Sequence, residues 1–185
     1  MAKIHPEISP DLKEFIERQP IFFTGTAMAD GRVNVSPKGQ DSLRVVDKNT
    51  IVWRNLTGSG NETAAHLLRL NRITLMWCSF EEKPMILRCY GKATVFHEKE
   101  EEFDELNKLF PEDPGARQIF KVNVDLVQTS CGFAVPFMDF KEERRVLKDW
   151  SKRKGRESIR DYWQEKNTRS LDGVDTGILG ATSDE

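Results

Sequence analysis

The stretch whose reading decides the fold is residues 21–54, IFFTGTAMADGRVNVSPKGQDSLRVVDKNTIVWR. Ile21–Met28 is rich in aromatic and β-branched residues and reads as a strand. Asp30-Gly31 then supplies a hairpin turn. Arg32–Ser36 alternates, with Val33 and Val35 pointing one way and Arg32, Asn34 and Ser36 the other. Leu43–Val46 continues as a short strand, Asp47-Lys48-Asn49 turns, and Thr50–Arg54 is a further strand. Strand follows strand through short turns. A parallel sheet needs a crossover of a dozen or more residues each time, so this region is antiparallel.

The pattern repeats downstream. Ile73–Phe80 and Met85–Phe96 read as two long strands joined by Glu81-Glu82-Lys83-Pro84, and Phe120–Thr129 as another. Between the strands the period lengthens to that of helices. Residues 10–19 open on Pro10 and put Leu12, Phe15 and Ile16 on one face. Residues 62–70 form a helix closed by Asn71. In residues 98–110, Phe103, Leu106 and Phe110 recur at helical spacing. Residues 141–166 read as helix and 167–185 as a polar arm. The class is α+β, an antiparallel barrel or sandwich covered by helices. Residues 1–185 suit one domain, of which 141–185 is a C-terminal helix and arm.

Bulk numbers narrow the function. The chain has 185 residues, 38% hydrophobic and 31% charged, as expected of a globular, well-solvated chain. A net charge of -2 gives no general pull toward nucleic acid. The longest apolar stretches, such as Ile73–Cys78, are too short to span a bilayer, and Met1–Ser9 lacks the apolar core of a signal peptide. Cys78, Cys89 and Cys131 are odd in number and form no CxxC pair, so reduced thiols in a cytoplasmic protein are expected. Three scattered histidines make no metal site. No nucleophile–base triad or catalytic carboxylate pair is evident.

The segment that carries chemistry is 32–63. It holds two polar loops, Ser36-Pro37-Lys38-Gly39 and Thr57-Gly58-Ser59-Gly60-Asn61-Glu62-Thr63, the second leading straight into a helix. A phosphate needs backbone N–H donors, hydroxyls and a cation close together. Glycines let the backbone approach, Ser59 and Thr63 bring hydroxyls, and a helix N-terminus adds its dipole. Lys38 and Arg54 supply positive charge. Gly, Ser and Asn are also the ordinary residues of turns, so from the residues alone a phosphate site and two plain turns both stand. The Gly-x-Gly lacks the later glycine of a dinucleotide fingerprint, and there is no P-loop.

The order of these elements resembles the FMN-binding core of the pyridoxamine 5'-phosphate oxidase-related family. The likeness runs through Gly31–Gly39, Arg54-Asn55, Thr57–Leu67 and Asn71–Met76, then Ile86–Ala93, where Arg88 and Gly91 fall at a common arginine and glycine. Ser130–Pro136 resembles a motif of one bacterial-type branch. The resemblance implies a six-stranded antiparallel split β-barrel with covering helices. It implies a homodimer, with each FMN in a groove at the subunit interface. By position, Val33, Asn34, Val35, Ser36 and Pro37 run alongside the flavin ring, and Lys38 lies at the ribityl or phosphate end. Arg54 and Asn55 end the next strand beside the cofactor. Ser59, Gly60, Asn61 and Thr63 surround the phosphate.

The chain departs from the vitamin B6 oxidases of that family. Gly60-Asn61 stands where they carry an Arg-Lys pair, Val33 where they carry an arginine, and Ile86 where they carry a flavin-touching glutamine. Their C-terminal Arg-x-His pattern is missing. The resemblance therefore implies an FMN-dependent oxidoreductase acting on another small molecule, the flavin doing the electron chemistry. The alternative is a non-catalytic flavin-, heme- or deazaflavin-binding protein, heme requiring an axial His, Cys or Tyr. A purely structural domain leaves the paired polar loops unexplained. His66 reads as a helix-face residue, Cys131 as a buried structural thiol, and the four tryptophans as core or interface fillers.

Overall fold

A computed structural model describes residues 2–180. Its strands are β1 (Lys3–His5), β2 (Phe22–Thr26), β3 (Asn34–Lys38), β4 (Leu43–Asp47), β5 (Thr50–Leu56), β6 (Ile73–Cys78), β7 (Ile86–His97) and β8 (Ala116–Ser130). Its helices are α1 (Pro10–Arg18), α2 (Glu62–Arg69), α3 (Glu101–Asn107) and α4 (Val146–Lys166). All strand pairings are antiparallel, in the order β3-β2-β6-β7-β8-β5-β4, with β1 added to β8.

The sheet curls into a barrel around apolar side chains from β2 and β4–β8. β2 and β6 alternate buried and half-buried positions along their whole length. Phe22 of β2 stacks on Trp77 of β6 at 5.9 Å, and meets Trp53 of β5 edge-on at 6.1 Å. Trp53 stacks on Phe120 of β8 at 4.5 Å. β2 and β5, four places apart in the order, thus share one aromatic core, which a flat sheet cannot do. α1 plugs this core with Leu12, Phe15 and Ile16. Ser9 caps the helix, its Oγ accepting from the Leu12 N–H at 3.4 Å, and Pro10 opens it. β5 is apolar on both faces: Ile51 and Trp53 enter the barrel, while Val52 packs outside with Phe103 and Phe110 of the α3 region.

Four expectations are corrected. The named strands number eight rather than six. β1 is a polar segment that joins β8 by backbone bonds, without an apolar pattern to announce it. The β2–β3 connection is longer than a tight hairpin, and β3 starts at Asn34. Asp172 of the C-terminal arm holds the loop by accepting from the Arg32 backbone N–H at 2.8 Å and by pairing with its guanidinium. Residues 141–145 lie outside α4, because Glu143 and Arg144 bind Gln40, and α4 itself kinks at Gly155, where φ is 75°. Cys131 is exposed rather than buried, since it lies just past the end of β8. Cys89, inside the barrel, is the buried thiol, and burial pushes its pKa up to about 12. The expectations for 181–185 and for Met1 fall outside the described residues. Among the described residues, no helix is long and apolar enough to cross a membrane.

Candidate functional site

β3 lies at one end of the strand order, so its outer edge carries backbone groups that no other strand takes up. Its alternation turns Asn34, Ser36 and Lys38 toward the barrel mouth and leaves Val35 and Pro37 exposed. Across the mouth, β5 ends at Asn55-Leu56, and the chain turns through Thr57–Asn61 into α2. The two polar loops separated by a strand hairpin in the sequence therefore face each other. Between them is a cleft of about 340 Å³. Asn34, Ser36, Pro37 and Lys38 form one wall, and Ser59, Gly60, Asn61 and Thr63 the other, with Asn55 and Arg117 also lining it.

A hydrogen-bond chain fixes the β3 wall. Ser36 Oγ donates to Asn34 Oδ1 at 3.0 Å. Asn34 Nδ2 donates to Thr63 Oγ1 at 3.2 Å and to Thr26 Oγ1 at 3.3 Å. Thr26 Oγ1 lies 3.1 Å from Nδ1 of the buried His66. His66 is thus on the inner face of α2 and does not line the cleft. Behind the opposite wall, Thr57 donates to the Gly115 carbonyl through both its N–H and its hydroxyl, at 2.8 and 2.9 Å. Trp163 Nε1 donates to Thr57 Oγ1 at 2.9 Å. Asn55 Nδ2 donates to Gln118 Oε1 at 3.2 Å.

Two cations reach the cleft. Lys38 is half-buried, with Nζ 5.1 Å from the Trp53 ring centroid. Burial, and then the charge of Arg117, lower its pKa to about 8. Arg117, at the start of β8, is 3% exposed, and burial lowers its pKa to about 10. Its Nη1 donates to the carbonyls of Gly60 at 2.9 Å and Gly58 at 3.4 Å and to Asn167 Oδ1 at 2.7 Å, while its Nε is buried without a partner. Among the described residues neither cation is paired with a carboxylate. An anion placed between them would relieve both. Glu62, at the rim, has its carboxylate turned to the backbone N–H of Leu171, at 3.0 and 3.1 Å.

Nine of the thirteen residues singled out in the sequence line this cleft, and four do not. Arg54 leaves by the outer face of β5: its Nη1 donates to the Pro111 carbonyl at 2.6 Å, and its guanidinium stacks on Phe110 at 4.9 Å. Arg88 donates to Ser130 Oγ at 3.3 Å. Val33 and Val35 project into solvent. The residues that sequence reasoning missed are Arg117, Gln118 and Asn167. Arg117 and Gln118 precede the apolar run of β8, and the only signal for them was a strand that begins earlier than its hydrophobic residues.

Comparison with known proteins identifies relatives. The model of the family described as pyridoxamine 5'-phosphate oxidase matches residues 8–131. The pyridoxamine 5'-phosphate oxidase family protein ustO of Aspergillus flavus is 32% identical over 203 aligned positions, which span all of this chain and 81% of the relative. Among solved structures, a point variant of Group A Streptococcus HupZ superposes with a TM-score of 0.55 at 19% identity, covering 66% of this chain and 99% of that one. A Lactobacillus delbrueckii protein described as a candidate pyridoxamine 5'-phosphate oxidase gives 0.54 at 18% identity, covering 66% and 94%. At these identities the structural likeness speaks for the split-barrel fold alone.

Proposed function

The chain belongs to the pyridoxamine 5'-phosphate oxidase family, and from that premise we propose that it binds FMN in the β3–α2 cleft and works as an FMN-dependent oxidoreductase on a small molecule other than a B6 vitamer. The observation that carries the reading is the convergence of β3, the Gly58–Asn61 loop, the α2 N-terminus, Lys38 and Arg117 on one cleft.

The residues fit such a group. A phosphate monoester needs N–H donors and positive charge, and the cleft offers a helix N-terminus, two cations without carboxylate partners and an orphaned Arg117 Nε–H. The free edge of β3 offers backbone donors and acceptors to a flavin ring edge. Lys38 and Arg117 would hold the phosphate, Ser59, Gly60, Asn61 and Thr63 would surround it, and Asn34, Ser36 and Asn55 would orient the ribityl and ring. None of the residues lining the cleft is a His, Cys or Tyr, so it offers no axial ligand of the usual kind to a heme. When bound, the flavin supplies the hydride or electron transfer, and the protein supplies binding, orientation and electrostatics.

The same reading makes the protein a homodimer with the cofactor between subunits. In support, Val33 and Val35 beside the edge strand are 72% and 65% exposed, and Phe133 and Phe137 of the segment after β8 are 82% and 77% exposed. Apolar patches of this kind mark interaction surfaces.

The test is an absorption spectrum of the purified protein before and after addition of FMN, with the released cofactor identified by mass. Flavin bands near about 370 and 450 nm at one FMN per chain are expected. A colourless protein that ignores FMN sinks the reading. Light scattering tests the assembly, and a strict monomer that retains FMN contradicts an interfacial site.

A further inference from the structure

We infer that Asn167, at the start of the C-terminal arm, is a positioning residue for the anion-binding end of the cleft, holding the Arg117 guanidinium and the Gly58–Asn61 loop in register with each other. The inference rests on the reading of this cleft as a flavin phosphate site.

Asn167 is fully buried, although nothing about an asparagine at the end of a helix requires it. Its N–H donates to the Trp163 carbonyl at 2.8 Å and closes α4. Every other polar group of the residue is committed to the cleft or to the arm. Oδ1 accepts from Arg117 Nη1 at 2.7 Å, and Nδ2 donates to the Gly58 carbonyl at 3.0 Å. The backbone carbonyl accepts from Asn61 Nδ2 at 3.2 Å and from Thr176 Oγ1 at 2.6 Å. The amide cannot be turned over, because a guanidinium only donates and a carbonyl only accepts.

One side chain therefore touches the buried cation and the loop wall, and the same residue's backbone touches the cap position of α2. Among the described residues, the Arg117 side chain makes its hydrogen bonds through Nη1 alone. Without the Asn167 oxygen, its Nη1 keeps only the carbonyls of Gly58 and Gly60, both on an exposed loop. Asn167 thus acts through Arg117 and the loop.

A residue that merely docked the arm would leave phosphate recognition unchanged wherever the fold survived. The discriminating variant is Asn167→Asp. Its carboxylate still accepts from Arg117, but it neutralises that charge and opposes the Gly58 carbonyl. FMN, riboflavin and inorganic phosphate are titrated into the parent, Asn167→Ala and Asn167→Asp, with thermal melts alongside. The expected result in both variants is a rise of about 10-fold or more in the FMN Kd, the loss of a charge-assisted contact. Riboflavin, which lacks the phosphate, changes by less than about twofold in each variant whose melt shows it folded. An unchanged ratio of FMN to riboflavin affinity in a folded variant overturns the inference and leaves the flavin reading intact. A parent that binds phosphate but neither flavin sinks the flavin reading. The phosphate titration then decides alone, with retained phosphate binding in Asn167→Asp overturning the positioning role. If neither variant folds, hydrogen exchange on the parent decides: slower exchange across Thr168–Thr176 on adding phosphate is expected, and unchanged exchange overturns the inference.

Discussion

On the proposed reading, the affinity for FMN is expected to fall with rising pH because of Lys38. In the empty cleft its pKa is lowered from the ordinary 10.5 to about 8, by burial and by the charge of Arg117. The other charged group of the cleft is Glu62, turned to the Leu171 N–H. A phosphate dianion favours the protonated amine, so binding above pH 8 must first restore the proton. At pH 7 about 90% of Lys38 carries charge and at pH 9.5 only about 3%, so the FMN Kd rises about 30-fold between them. The phosphate itself is already a dianion, with a second pKa of about 6. Riboflavin, lacking the phosphate, gives a nearly flat profile. The assay is flavin-fluorescence quenching at fixed ionic strength from pH 7 to 9.5, for the parent and Lys38→Met. A flat FMN profile in the parent, or an equally steep one in Lys38→Met, refutes the reasoning. Stability moves the other way. The unfolded chain holds the proton up to pH 10.5 while the folded chain releases it near 8, so this group's contribution to stability rises with pH across that window.

Lys38→Ala combined with Ser59→Ala is expected to weaken FMN binding by about 100-fold while lowering Tm by only a few degrees, since neither side chain is in the apolar core; equal FMN affinity in titration moves the phosphate elsewhere. Gly91→Ala is expected to unfold or severely destabilise the barrel. A Cβ there would sit 2.0 Å from the Asn123 carbonyl oxygen, at the bulge where β7 and β8 shift register; a melt within a degree or two of the parent's contradicts that. Burial alone would raise the Glu98 carboxyl, but its bonds to Arg160 and Arg156 outweigh burial and hold it below the ordinary value. Its stabilisation is thus present above the unfolded-state pKa and lost as pH falls through the folded one. Glu98→Gln should lower Tm by a few degrees at pH 7 and by progressively less as pH falls below the ordinary carboxyl range, as melts across pH will report.

Turn residues and runs of β-branched and aromatic side chains made β2 to β5 legible as strands, because both signals are local. The paired polar loops were legible for the same reason. Long-range choices were not. Nothing in Lys3–His5 specifies β8 as its partner, and nothing in Asn167 specifies a loop more than a hundred residues earlier. The separation of Arg54 from Asn55 is different, because the strand period already held it. Successive residues of a strand point to opposite faces, so with Trp53 in the barrel, Asn55 faces the mouth and Arg54 must face away.

Under the FMN reading proposed above, Gly60-Asn61 in place of an Arg-Lys pair amounts to a relocation of charge. A cation on the loop would be mobile and solvated. Arg117 instead approaches from β8 and takes the carbonyls of Gly58 and Gly60. In a trans peptide the carbonyl of one residue and the N–H of the next point in opposite directions. Those two bonds therefore turn the N–H groups of Ser59 and Asn61 away from the guanidinium, which does not block them. The arrangement demands a buried arginine, which burial opposes, as its lowered pKa records. It is tolerable because Asn167 supplies the neutral oxygen that a guanidinium needs without cancelling the charge that a phosphate needs. On the proposed reading, cofactor affinity and docking of the arm are then two measures of the same set of bonds, and each must strengthen the other.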